Sequence, residues 1–479
     1  MSGITLLDII IIVAYMVFLA WVGIVGTKKV SNTSDYFVAN RSLSSFFLLA
    51  TVCASVIGGS ALLGKGGYAY TGGMVCVAIG LPYMLGMFIF SAFSGKISKL
   101  GSKYGFISMP EMLGYRFGKL VKLIASILVV YTSIATVGAQ VSAMGTIVSA
   151  LGGDHVSYLT GAIIATIIFT AYTASSGLFG VVYTDAVQFL ILIVAVYILL
   201  PAFSINEVGG FAELIAQTDP SKWQLNLTPD IVTLIVTNFI MTIAGAEFWQ
   251  RAFAAKNSKS AFKGQFGGTA VYAVTIVITM FIGLCAAILF PNLIEEYGTA
   301  DYAVPVMIIK ILPPGITGIA IAGVISVMMS SADTYLLCAV QSTITDVYKE
   351  FVPALDDKKA LLMSRVLTVI FAVFAFLVAV YFTSAYDALM FGWVFYAATL
   401  GVPCLAALIW DKATTPGMLA GMGAGFVMSI LWNALGSPFG MGATIVGVAS
   451  NAVFLVVVSL LTYRKYPSKN ATLGNTKVS

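Results

Sequence analysis

Charged residues occupy only 9% of this 479-residue sequence, and apolar ones occupy 59%. Soluble domains carry about 25% charged residues. A water-facing surface of this size would have too few charges to cover it, and a soluble core of this composition would aggregate. Lipid is the solvent that fits. Histidine is nearly absent: the single one, His155, falls in a loop. With the acids scattered, that excludes a multi-ligand metal site, and no nucleophile has a base beside it. Five cysteines, Cys53, Cys76, Cys285, Cys338 and Cys404, lie inside apolar runs without CxxC spacing. They read as small buried hydrophobes, not disulfides or metal ligands. No Walker A loop is present, which excludes ATP hydrolysis of that class. The basic residues track a membrane topology, which leaves nucleic-acid binding without support.

What the sequence does contain is a series of long apolar runs. A bilayer crossing needs about 20 such residues. Spans are expected near 5–26, 44–70, 74–99, 119–150, 157–175, 177–202, 231–255, 268–290, 315–346, 360–383, 387–411, 415–434 and 442–463. The first run is too long for a signal-peptide core and lacks a small-residue cleavage site, so it reads as a span. The expected fold class is an all-α polytopic membrane protein of about thirteen transmembrane helices. With the N-terminus outside, every Lys and Arg except Lys65, Lys222 and Lys310 falls on the inner side, 22 of the 25. Cations concentrate on the cytoplasmic side of membrane proteins. A miscount of one helix would put each later loop on the wrong side, so the bias supports an N-out/C-in topology.

Spans two to six and seven to eleven form two sets of five with opposite orientation. The expected division is 1–43 (first helix and inner loop), 44–202 (first repeat), 203–230 (outer loop), 231–411 (second repeat), 412–463 (two further helices) and 464–479 (cytoplasmic tail). Each repeat opens on a helix interrupted by small residues. These are Ala54-Ser55-Val56-Ile57-Gly58-Gly59-Ser60 in one and Ala244-Gly245-Ala246 in the other. Matched interruptions in inverted repeats point to a transporter's midplane site. The alternative is that Gly merely permits close helix packing. On the first reading Ser55, Gly58, Gly59, Ser60 and Gly245 line a solute cavity.

Polar groups at membrane depth are costly and mark function. Ser330, Asp333 and Thr334 fall at i, i+3 and i+4, on one helical face, with Ser331 beside them. Hydroxyls and a carboxylate are hard oxygen donors, suited to Na⁺. A bland alternative bonds each hydroxyl back to its own helix. Asp185 is either part of such a site or a first-turn helix acid. Lys65 binds a solute carboxylate, pairs with an acid, or snorkels outward. Glu247 faces the cavity or pairs with Arg251 one turn on. Asp346 and Lys349 read as a solvated cap at the inner face. Trp249, Trp393 and Tyr396 either line the cavity or pack.

Four segments, in order along the chain, resemble the sodium/solute symporter family, which includes carriers of proline, glucose, sialic acid, pantothenate and choline. They are Ser34-Asp35-Tyr36-Phe37-Val38-Ala39-Asn40-Arg41, Ser176-Gly177-Leu178-Phe179-Gly180-Val181-Val182-Tyr183-Thr184-Asp185-Ala186-Val187-Gln188, Trp249-Gln250-Arg251, and Met329-Ser330-Ser331-Ala332-Asp333 running to Asp346-Val347-Tyr348-Lys349. The resemblance implies the LeuT-type five-plus-five inverted repeat with flanking helices. It implies a sodium site of the Ala54, Ile57 and Val327 carbonyls with the Ser330 and Ser331 hydroxyls. It implies a second cation site at Asp185, Asp333 and Thr334. Such members usually have a hydroxyl where this chain has Asp333, so the carboxylate either strengthens that site or takes a proton. Val56 stands where proline carriers have Asp, and Lys65 has no counterpart. Sugar-binding residues are not evident at Ser60 and Ala61.

The expected function is Na⁺-coupled import of a small organic solute (an amino acid, carboxylate or quaternary amine) by alternating access. The competing readings are a proton-coupled or ion-independent carrier, and a non-transporting sensor. Short loops suggest a bacterial inner membrane.

Overall fold

The computed structural model describes residues 4–27, 33–152, 156–225, 227–352, 355–382 and 384–466. His155, the tail from 467 and the side chain of Ser60 lie outside the described residues. The principal helices are α1 (Leu6–Thr27), α2 (Ser45–Val56), α3 (Gly59–Gly72), α4 (Val75–Tyr104), α5 (Met109–Phe117), α6 (Lys119–Gly152) and α7 (Tyr158–Leu192). A π-helical turn, Ile193–Leu199, leads from α7 into α8 (Leu200–Val208). Then come α9 (Pro229–Ala244), α10 (Ala246–Ala254), α11 (Ser258–Leu289), α12 (Leu293–Tyr297), α13 (Ala303–Ile311), α14 (Ile316–Gln341), α15 (Asp357–Tyr381), α16 (Ala385–Ile409), α17 (Thr415–Ala434) and α18 (Ala443–Thr462). In lipid a helix satisfies its own backbone, which is why apolar runs fold this way. Local signals set the ends. Thr228 accepts the Ile231 N–H, and Pro229 needs no donor at the first position of α9.

Among the described residues ten helices are long and apolar enough to cross a bilayer, and the bent pair α2–α3 makes an eleventh. Shorter apolar stretches, Leu6–Leu19 and Tyr158–Ile167, coincide with two further runs of the sequence. The chain is helical from Tyr158 to Val208, about 75 Å if straight, which exceeds two bilayer cores. It crosses the bundle and returns. The Tyr158 hydroxyl donates to Ala379 O at the end of α15 (2.8 Å). Tyr183 packs edge-on against Phe47 in the first turn of α2, with centroids 5.2 Å apart. Phe211, just past α8, packs on Phe281 near the far end of α11.

Both sets of five are built alike. Each opens with a broken helix (α2–α3, α9–α10), continues with a long one (α4, α11), and inserts short helices before its third span (α5; α12 and α13). The two broken helices also touch. Leu43 forms a backbone bridge with Ala255, through Leu43 N–H to Ala254 O (3.1 Å) and Lys256 N–H to Leu43 O (3.0 Å).

At the centre stands α14, with 83% of its apolar window buried against 28% for α15 and α18. Its polar residues, among them Ser330, Ser331, Asp333 and Thr334, need partners inside the bundle; the more apolar α15 and α18 face lipid. Asp8 of α1 caps α14: its Oδ1 accepts the N–H groups of Gly315 (2.7 Å) and Gly318 (2.8 Å). An acid at a helix N-terminus satisfies orphan donors and complements the dipole.

Candidate ion and solute site

The first break lies at Ile57–Gly58, where α2 and α3 meet at a bend of 54°. In the last turn of α2, the carbonyls of Ala54 and Ser55 have lost their regular helical partners. Both accept instead from one hydroxyl on α14, Ser331 Oγ, at 3.1 and 3.2 Å. Gly58 makes the approach close. A Cβ there would sit 2.4 Å from Ser331 Oγ and 3.1 Å from Gln140 Oε1. Ala54 and Ser331 of the expected sodium ligands therefore meet at the break, with Ile57 closing α2 beside them. Val327 is buried one turn before Ser331 on α14. The remaining expected ligand, Ser330, turns elsewhere: its hydroxyl donates to Asp185 Oδ1.

That carboxylate is the hub of a buried polar network. Its other oxygen, Oδ2, accepts from the Thr51 hydroxyl. Thr51 Oγ1 in turn accepts from Arg251 Nε (3.2 Å) and Nη2 (3.1 Å). The same guanidinium reaches Ser55 Oγ, Thr334 Oγ1 (2.9 Å) and the Glu247 backbone carbonyl (3.2 Å). Four helices, α2, α7, α10 and α14, are thus joined through Thr51, Asp185, Arg251 and Ser330/Thr334. Asp185 is fully buried and lies deep within α7, not in a first turn. Asp333 stands apart from this hub. Its Oδ1 accepts from Thr173, while Oδ2 meets no donor among the described residues.

The second break is at Gly245 (φ −54°, ψ 107°). Here large donors cap the freed carbonyls. Trp249 Nε1–H donates to Ile243 O (3.0 Å) and the Tyr396 hydroxyl to Ala244 O (2.7 Å). Trp249 and Tyr396, expected as cavity residues or packing, hold the break together. Glu247 does not pair with the Arg251 side chain. Its Oε1 accepts from the Tyr335 hydroxyl (3.0 Å) and its Oε2 has no donor among the described residues.

Trp393 does border the interior. It stacks on Tyr83 of α4 (5.6 Å, 8° between planes), and its Nε1–H donates to Thr136 (3.2 Å). Tyr83 also meets Phe248 and Tyr272. Lys65 enters this aromatic group from α3. Its ammonium lies 4.8 Å from the Tyr272 ring centre and 5.5 Å from that of Tyr83, and donates to the Tyr272 hydroxyl. It is 6% exposed and does not snorkel. Gly59 packs against Met328.

Three expectations need correction or addition. Asp346 is no solvated cap: it is buried and accepts from the Ser108 hydroxyl (2.7 Å), because α5 folds over that end of α14. Arg251, counted among the inner-side cations, is 1% exposed inside the bundle. Thr51, Thr173, Tyr83 and Tyr272 escaped notice, since single hydroxyls and aromatics in apolar runs carry no periodic signal. Arg251 left a trace, as an arginine four residues after a break-side glutamate.

The sodium:solute symporter family model matches residues 36–425. A sodium/proline symporter from Haemophilus influenzae is 25% identical over 477 residues, covering 93% of each chain. A sodium/pantothenate symporter from the same organism is 25% identical over 453 residues, covering 90% of each. The solved structure of a Na⁺-coupled sialic acid symporter in a substrate-bound, outward-open state superposes with a TM-score of 0.82, at 17% identity, covering 97% of this chain and 99% of that one. With a family match across most of its length and that fold, the chain belongs to the sodium:solute symporter family, as a multi-pass membrane transporter of LeuT-type architecture that couples a small solute to Na⁺.

Proposed function

We propose that this chain imports a small organic solute by alternating access, with Na⁺ held where Ser331 faces the first break. The observation that carries the reading is the convergence of the Ser331 hydroxyl on the Ala54 and Ser55 carbonyls at 3.1–3.2 Å. Hard oxygens set around a helix break suit a small cation. Ala54, Ile57 and Val327 would supply carbonyls and Ser331 its hydroxyl. Ser330 joins by leaving Asp185, or stays on Asp185 and orients the site from behind. The ion would fasten α2 to α14 and so stabilise the solute-competent state, and that difference in affinity between states is the coupling.

The wider reading follows the cation distribution and the matched breaks. Residues 44–202 and 231–411 act as inverted halves, with the N-terminus outside and the C-terminus inside, in a bacterial inner membrane. The relatives' solutes (proline, pantothenate, sialic acid) support a small organic cargo. The protein works as a carrier and performs no covalent chemistry.

A second reading rests on Asp333. Its Oδ2 has no donor among the described residues, so Asp185, Asp333 and Thr334 would take a further cation or a proton. Proteoliposomes separate the cases. With Na⁺ and proton gradients imposed independently, uptake should follow Na⁺, and Ser331→Ala should raise the half-saturating Na⁺ concentration about tenfold, the equivalent of ~1.4 kcal/mol. Uptake that ignores Na⁺ and is unchanged in Ser331→Ala would overturn the assignment; dependence on the proton gradient that disappears in Asp333→Asn would favour the second reading.

A further inference from the structure

A lysine inside the bundle is costly unless something answers its charge. Among the described residues the ion pairs join Lys119 and Lys122 to Glu350, far from Lys65. An ammonium carries three donors, and the one acceptor that Lys65 meets among the described residues is the neutral Tyr272 hydroxyl. The rings of Tyr272 and Tyr83 answer part of the charge through their faces. Full compensation takes an anion.

We propose that Lys65 is the carboxylate-reading residue of the solute site, so that the cargo is a small organic acid or amino acid and not a sugar or a quaternary amine. This rests on the symport reading and narrows its substrate class. The surroundings of the ammonium support it. Tyr83, whose ring it meets, stacks on Trp393, an apolar surface for the carbon skeleton. A cavity of about 10 Å³ opens among Lys65, Tyr197, Tyr272, Thr275 and Thr279. That is room for one water, so a solute reaches Lys65 only when the bundle opens. Lys65 also lies two turns along α3 from the Gly58 break, which leaves the ion and the acid group separate positions on one bent span. Ordering that span for Na⁺ therefore positions the ammonium for the solute.

The test uses purified full-length protein in proteoliposomes under an inward Na⁺ gradient. The probes are lactate and proline, their amides, choline and glucose. The expected result is carriage of at least one acid, with its amide carried at least tenfold less well. Lactate against proline then distinguishes a plain organic acid from an amino acid. Lys65→Met should raise the KM for that acid at least tenfold, and Lys65→Arg should recover part of the loss. A Na⁺-induced rise in Tm retained in Lys65→Met reports that the variant is folded with its ion site intact. The proposal is overturned by equal carriage of acid and amide, by carriage of glucose or choline in place of both acids, by carriage of none of the acids, or by an unchanged KM in Lys65→Met. A preference for acids that survives without any Na⁺ dependence would sink the symport reading and leave Lys65 standing.

Discussion

The two broken helices meet the same difficulty in different ways. Each break strips carbonyls of their helical partners at membrane depth, where an unsatisfied polar group costs several kcal/mol. At the Gly245 break, two bulky aromatic donors, Trp249 and Tyr396, supply fixed hydrogen bonds to Ile243 and Ala244. At the Gly58 break, one small hydroxyl, that of Ser331, serves Ala54 and Ser55 together. A cation can replace a shared serine proton with little rearrangement. It cannot displace an indole and a phenol without unpacking the core. Of the two, the first break is the freer to exchange its partner, which supports the proposed ion position there.

The sharpest way to break that contrast is to fill the space at Gly58. A side chain at 58 would collide with Ser331 Oγ and Gln140 Oε1. Gly58→Val should reduce Na⁺-driven uptake to background, and uptake within about threefold of wild type in protein of normal abundance would refute a working site at this break.

The intermediate effect concerns the capped break. Tyr396→Phe keeps the ring and leaves Ala244 O without its donor. Stability should fall by roughly 1–3 kcal/mol, read as a lower Tm in detergent. The half-saturating Na⁺ concentration should stay unchanged. A selective loss of Na⁺ affinity there would mean that both breaks handle the ion.

The smallest effect lies outside the spans, in the segment before α13. Asp301 Oδ2 accepts the first-turn N–H of Ala385 on α16 (3.1 Å). Burial pushes its carboxyl from an ordinary 3.8 up to about 6, against the lowering pull of that N–H. A group with a raised pKa in the docked state holds its proton there preferentially. Docking is thus fully supported below about pH 4 and weakens as pH rises through about 6. Wild-type Tm should fall by about 2 °C between pH 5 and 7, and Asp301→Asn should flatten that part of the profile. An equal slope in the variant would remove Asp301 from this contact.

How much of this was legible depends on the kind of signal. Apolar runs are extended patterns, so each expected span falls on helical residues. The Ala54–Ser60 interruption showed as a cluster of small residues, and the bend is where they lie. Rotation about a helix axis is a different matter. Ser330 and Ser331 differ by about 100°, and the sequence does not say which one faces the break and which faces Asp185. The burial of Arg251 was hidden because the topology count assigned a cation near the end of an expected span, 231–255, to the inner side. Asp346 was misread for a related reason: a position at the end of an apolar run does not reveal that α5 covers it. Trp249 and Tyr396 reach the carbonyls of Ile243 and Ala244 only once helices far apart in sequence are packed.

The backbone bridge between Leu43 and Ala255 gives the bundle a gear. It ties the entry to the first broken helix to the exit from the second. Since its hydrogen bonds use main-chain atoms alone, ordinary side-chain drift at these positions leaves it intact, and proline is the substitution that cuts it. On the proposed reading, a tilt imposed on α2 by a bound ion would pass through this bridge to α10, which carries Glu247 and Arg251. Ion capture at the exchangeable break would then reach the capped one as a single stroke.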